Sequence, residues 1–136
     1  MPPIARLSEY QLTEQRSRFH AAAIPAATME EVQRALAERK KTYHKARHHC
    51  WACRVGDAHG QLVEQARDDG EVGKPGMKLL ELLRSHDLEG LLVVSRIFGG
   101  VKLGPGGVGR AFRDAAAGAL ERQHAHPPAR PGAGSR

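Results

Sequence analysis

Aromatic side chains are scarce in this chain: three Phe, two Tyr and one Trp make up 4% of 136 residues. That scarcity argues against a single-strand nucleic-acid binder built on rows of aromatic stacking platforms. Cysteine is scarcer still, with two in all, too few for the disulfide framework of a small secreted domain. Long apolar runs are missing as well. The longest, residues 91–94, falls far below the roughly 18 apolar residues that mark a membrane-spanning helix. Residues 1–6 also lack the apolar segment of a signal peptide. The expectation is a cytoplasmic protein with no membrane partner. Acidic residues run short against basic ones, 15 Asp+Glu against 21 Lys+Arg, for a formal charge of +6. A surplus of this sign favours an acidic partner. What is present, 40% hydrophobic and 26% charged residues, fits one globular domain with a real core.

Periodicity predicts the elements. Residues 10–24 read as one extended stretch ended by Pro25, with Phe19, Ala21 and Ala23 alternating against His20, Ala22 and Ile24. Thr28 followed by Glu31 is a capping box, and Met29, Val32 and Leu36 behind it form the stripe of an amphipathic helix to about Lys41. Residues 49–56 alternate as a strand, with Trp51, Cys53 and Val55 on one face and Cys50, Ala52 and Arg54 on the other. Turn chemistry over 56–60 returns the chain as a second hairpin arm at 61–67. A loop over 68–76 leads to a helix at 77–85, then to a strand at 91–98 whose unbroken apolar run predicts a central position buried on both faces. A glycine-rich segment at 99–107 precedes a last helix over 108–123. The order β-α-β-β-α-β-α predicts an α+β fold, a mixed sheet with helices packed on one face. The folded domain is expected over residues 7–123, with the Pro/Gly-rich residues 124–136 as a flexible tail.

Four clusters invite chemistry. In the first, the strand at 91–98, which carries Arg96, feeds five glycines by Gly107 and opens into a helix, with Lys102, Arg110 and Arg113 nearby. Glycines let a backbone approach an oxyanion, and free N–H groups with the helix dipole favour negative charge there. The segment is neither a P-loop nor a Rossmann fingerprint, and a tight strand-to-helix connection explains the glycines equally well. The second cluster, residues 39–49, holds five Lys/Arg and three His without one carboxylate. It reads as a phosphate-tracking patch or as a solvated helix end favoured by its own dipole. The third, Cys50 and Cys53 beside His44, His48 and His49, has the spacing of a metal or redox pair. Residues three apart on a strand point to opposite faces, so two ordinary thiols are expected and no metal is assigned. The fourth, Asp68, Asp69 and Glu71, reads as an acidic turn that caps or pairs with the basic glycine-rich segment. A Mg²⁺ or acid–base site is its alternative. No nucleophile–base arrangement assembles, so no catalytic residue and no cofactor is assigned.

Residues 96–112 resemble the signature of the IMPACT N-terminal domain family, whose bacterial branch is YigZ-like. Supporting blocks follow in chain order: Ser17-Arg18-Phe19, His48-His49-Cys50-Trp51-Ala52 and Asp68-Asp69-Gly70-Glu71. The resemblance implies the ribosomal protein S5 domain 2-like fold. It also implies a link to regulation of translation through a protein partner in eukaryotes and through nucleic acid or the ribosome in bacteria. Three departures stand out. Bacterial relatives usually carry a second, ferredoxin-like domain; the family's Pro-Ser-Gly-Thr-Ala-Gly is replaced by Val72-Gly73-Lys74-Pro75-Gly76; and Cys53 and Ile97 stand where Tyr is usual.

The functional expectation is a monomeric, non-catalytic binding domain associated with RNA or the ribosome. Its expected binding residues are Arg96, Lys102, Gly104, Gly106, Gly107 and Arg110, joined by Arg39, Lys40, Lys41, Lys45 and Arg47. A protein-interaction regulator of translation is the alternative. An enzyme or binder acting on a phosphorylated small molecule is the third reading.

Overall fold

The extended stretch at residues 10–24 is a hairpin in the computed structural model, which describes residues 1–123. Strands β1 (Ser8–Glu14) and β2 (Ser17–Ile24) pair antiparallel around Gln15 and Arg16. Both turn residues have positive φ, 47° and 67°, the turn whose twist matches that of the flanking strands. Neither is Gly or Asn, so no residue type announces the turn. The tail expected at residues 124–136 lies outside the described residues.

Helix α1 (Met29–Thr42) starts at the capping box. Thr28 Oγ1 accepts from the Glu31 N–H at 3.1 Å, and the Glu31 carboxylate accepts from the Ala27 N–H at 2.7 Å. Then come β3 (His48–Gly56), β4 (Leu62–Arg67), α2 (Pro75–Ser85), β5 (Gly90–Ile97) and α3 (Gly104–Glu121). The sheet runs β1-β2-β5-β3-β4. All four strand pairings are antiparallel, so the sheet is antiparallel where a mixed one is expected. The reason is topological: β2 and β3 run in the same direction, but β5 inserts between them. Among the described residues the one parallel contact is the isolated bridge from Pro3 to Glu89. Beside that bridge Ile4 enters the core at 2% exposure, upstream of the boundary expected at residue 7.

Helices cover both faces rather than one. Strand β5 is buried on both sides, as the apolar run of residues 91–94 predicts, and its burial continues through Ser95 and Arg96. Two apolar faces need two covers. On one face Phe19, Ala21, Cys50, Ala52, Leu92 and Val94 pack against α2 and α3. On the other, Ala22, Trp51, Cys53, Val55, Leu91 and Val93 pack against Val32 and Leu36 of α1. Phe19 and Phe112 meet edge to face, ring centroids 5.1 Å apart, with neither exposed. Burying a side chain of this size stabilises by about 1.5–3 kcal/mol. Helix α3 is also held to β1, because Ser8 Oγ donates to the Ala119 carbonyl at 2.8 Å.

Two glycines at positive φ separate backbone conformation from close approach. Gly73 (φ 86°) lies where a Cβ would collide with the Pro105 carbonyl of α3, whereas Gly100 (φ 89°) faces open space. Gly100→Ala is expected to cost about 1–2 kcal/mol, the left-handed penalty alone. Gly73→Ala adds an overpacking cost of about 1–3 kcal/mol. Urea unfolding of the two variants checks the difference.

Candidate functional site

One end of the sheet gathers most of the chemistry. The end of β5, the starts of β2 and β3 and the end of β4 meet there, and α2 and α3 begin there. Alternation along β5 puts Arg96 on the same face as Leu92 and Val94, at 8% exposure. Its Nε and Nη2 donate to Ser17 Oγ at 3.4 and 3.3 Å, and Nη1 donates to Glu71 Oε2 at 3.2 Å. The Glu71 side chain is 5% exposed, so a buried cation meets a buried anion. The guanidinium also lies 5.4 Å from the ring centres of Phe19 and Phe98. Ser17 Oγ accepts in addition from the Gly99 N–H at 3.2 Å, which ties the loop after β5 to β2.

Beside this pair opens a cavity of about 420 Å³. Its apolar wall is Val72, Phe98, Leu103 and Val108; its polar groups are Arg47, His48, Glu71, Arg96 and Lys102. Val72 and Phe98 are 52% and 49% exposed.

The glycine-rich segment divides in two. Residues 98–103 form the loop, and α3 begins at Gly104, earlier than the position 108 expected. Pro105 explains this, since its fixed φ suits a first helical turn. Gly104 lines the cavity, while Gly106 and Gly107 follow within the first turn of the helix. The residue before α3 is Leu103, which supplies no side-chain cap. At the start of α2, by contrast, Asp68 Oδ1 accepts from the Gly76 N–H at 2.8 Å.

The basic run also divides. Arg47 lines the cavity with Lys102. Lys40, Lys41, Lys45 and Arg110 are exposed, and none of these six cations has an ion-pair partner among the described residues. Arg39 is different. It falls on the buried stripe of α1 with Val32 and Leu36, as spacings of four and three residues require. Its Nη1 donates to Glu9 Oε2 at 2.6 Å, its guanidinium sits 4.8 Å over the Tyr43 ring, and it is 8% exposed. The expected surface contact is therefore an internal tie between α1 and β1.

The acidic turn does not act as a unit. Glu71 holds Arg96, Asp68 caps α2, and Asp69 Oδ2 accepts from the His49 N–H at 2.8 Å. Cys50 lies in the core beneath α2 and α3, and Cys53 in the core beneath α1. Burial pushes both thiols up from their ordinary range, which leaves them poor nucleophiles. Composition and spacing miss Ser17, Val72 and Phe98 as parts of this site. Ser17 lies in a block that matches the family, but its role depends on strand pairing.

The family model described as the Impact N-terminal domain matches residues 15–120. An IMPACT family member of Thermus thermophilus is 42% identical over 109 residues, covering 79% of this chain and 57% of the relative. A crystal structure of a hypothetical protein is similar with a TM-score of 0.81 at 28% identity, covering 89% of this chain and 59% of that one. The two-domain translational regulator Yih1 is similar with a TM-score of 0.58 at 25% identity, covering 90% of this chain and 49% of that one. The chain spans about half the length of the curated relatives it matches. Among the described residues no helix is long and apolar enough to cross a membrane.

Two predictions follow from the buried polar groups. Arg39 Nε and Nη2 are buried without a partner, so Arg39→Met is expected to leave the unfolding midpoint unchanged or raise it. Binding of a ligand at the cavity should not change in that variant. His20 and His49 are both held below the ordinary imidazole value of 6.5, chiefly by burial, with Arg39 adding to the effect. The unfolded chain therefore takes up protons near pH 6.5 that the folded chain refuses. The stability this contributes is present above pH 6.5 and lost as pH falls below it. Urea unfolding between about pH 7 and about pH 5 should show a weaker pH dependence in the His20→Gln, His49→Gln double variant.

Proposed function

The chain belongs to the Impact N-terminal domain family, and from that premise we propose that it binds RNA phosphates as a non-catalytic regulator of translation. The family link to translation regulation comes from the similarity to Yih1. The carrying observation is the start of α3. Its N-terminus lacks a side-chain cap, stands next to Lys102 and opens on the cavity that Arg47 also lines. A helix start presents orphan N–H donors and the positive end of its dipole. Asp68 satisfies one such donor at α2, whereas the N-cap residue of α3 supplies no side-chain partner, which leaves that end for an anion from outside.

The expected contacts are Lys102, Arg110 and Arg47 to phosphate, with Gly104, Gly106 and Gly107 letting the strand approach the backbone. Lys40, Lys41 and Lys45 add exposed positive charge at and just beyond the end of α1, and Arg96 organises the site from below. A partner of this kind is met in the cytoplasm. A second reading, a protein partner, is favoured by the exposure of Val72 and Phe98. An enzyme acting on a phosphorylated small molecule asks the acidic turn to face the glycine-rich start. Only Glu71 of the three carboxylates lines the cavity, and Arg96 already holds it.

Fluorescence anisotropy with a short single-stranded RNA tests the proposal. Affinity should fall steeply from about 50 to about 200 mM salt, with a log–log slope near −0.7 per phosphate contact. Lys102→Ala with Arg110→Ala should weaken binding and flatten that slope by about 1.4. Salt-independent affinity, or a double variant that binds like the parent, rejects the RNA reading. Nuclease-resistant capture of one defined protein would then point to the second.

A further inference from the structure

We propose that the cavity beside Arg96 seats one unpaired nucleobase of the bound strand, specifically a base with an exocyclic amino group. The inference rests on the RNA reading above and goes further by naming what enters the cavity. Phosphates alone need cations and N–H donors, both of which an open surface supplies. They do not need an apolar hollow. This one measures about 420 Å³, inside the range of about 300–1,000 Å³ typical of small-ligand sites.

Its lining offers apolar surface for the faces of a base and an acceptor for its edge. Phe98 stands at the rim with half of its surface exposed, and Val72, Leu103 and Val108 complete an apolar slot. Base–aromatic stacking tolerates any base because each has a π-face. The edge is set by Glu71. Its Oε1 accepts from the adjacent Val72 N–H at 3.1 Å and its Oε2 from Arg96. Each carboxylate oxygen keeps further lone-pair capacity. A carboxylate only accepts hydrogen bonds, so it favours an amino edge such as that of cytosine. Uracil has no exocyclic amino group. Outside the slot, Arg47 and Lys102 flank the opening, where the sugar–phosphate of a seated nucleotide would emerge. Apolar slot, buried acceptor and cationic mouth together have the chemistry of a nucleotide.

The chain's few aromatics do not oppose this. They exclude rows of stacking platforms, whereas one seat needs one ring.

The test uses three strands of equal length, oligo(C), oligo(U) and an abasic backbone, titrated against the parent protein and Phe98→Leu. Phe98 is half exposed, so the variant should keep its fold, as circular dichroism will report. Oligo(C) is expected to bind on the order of tenfold more tightly than the abasic strand. Oligo(U) should fall between them. Phe98→Leu should erase most of that advantage while the salt slope stays as in the parent. If the abasic strand binds as tightly as oligo(C) with the same steep salt slope, the base seat is overturned and the phosphate reading stands. If no strand binds at any salt concentration, both are overturned together.

Discussion

The site depends on one buried ion pair. Arg96 is drawn beneath the surface by the alternation of β5, and a guanidinium there must find an anion or be lost from the fold. Glu71 supplies it from the loop between β4 and α2. That loop is consequently pulled inward, and Gly73 comes against the backbone of α3. Ser17 takes the rest of the guanidinium and also receives the Gly99 N–H. Three segments distant in sequence are thus fixed around one side chain, and the space left above it is the cavity. Removing one partner of such a pair costs about 3–5 kcal/mol, mostly because the survivor stays buried and unpaired. The pair is therefore better understood as a positioning device than as a source of net stability.

The same economy governs charge elsewhere. Two helices start at this end, and each has orphan N–H groups to satisfy. Asp68 answers for α2; nothing in the described chain caps α3 by a side chain. Arg39 is withdrawn from the basic run by its place on the buried stripe of α1. His20 and His49 are disfavoured as cations by burial and by neighbouring arginines. The positive character of the open surface consequently rests on lysines and arginines that have no ion-pair partner among the described residues.

Local patterns made much of the fold legible. Alternation placed Cys50 and Cys53 on opposite faces, the capping box located the start of α1, and an unbroken apolar run put β5 at the centre. Four sequence blocks carried the family resemblance, and three of them meet in the hub of Ser17, Glu71 and Arg96, while His49 of the fourth is held by Asp69. What stayed hidden is what only tertiary packing decides. The Gln15–Arg16 turn uses left-handed residues without glycine, so its hairpin read as one strand. Arg39 looked solvent-facing because its run is basic, although helical spacing from Val32 and Leu36 pointed inward. The cavity could not be read at all, since its walls come from the ends of separate elements.

The placement of the aromatics refines what composition can exclude. Phe19 and Phe112 pack on each other in the core. Tyr43 stacks on His20 and carries Arg39; Trp51 is buried beside Arg67; and Tyr10 presses on Gly118 of α3. Each of these rings packs on a neighbour, Tyr10 doing so while 38% exposed. Phe98 has the Arg96 guanidinium near its ring and otherwise opens on solvent and the cavity. Exposing an apolar ring forgoes burial that would stabilise the chain, and the Gly99 contact with Ser17 fixes the loop that holds it there. A percentage averages over the whole chain, whereas recognition depends on where one residue is held. A chain with 4% aromatics can therefore lack every platform and still present one ring at the mouth of a charged cavity.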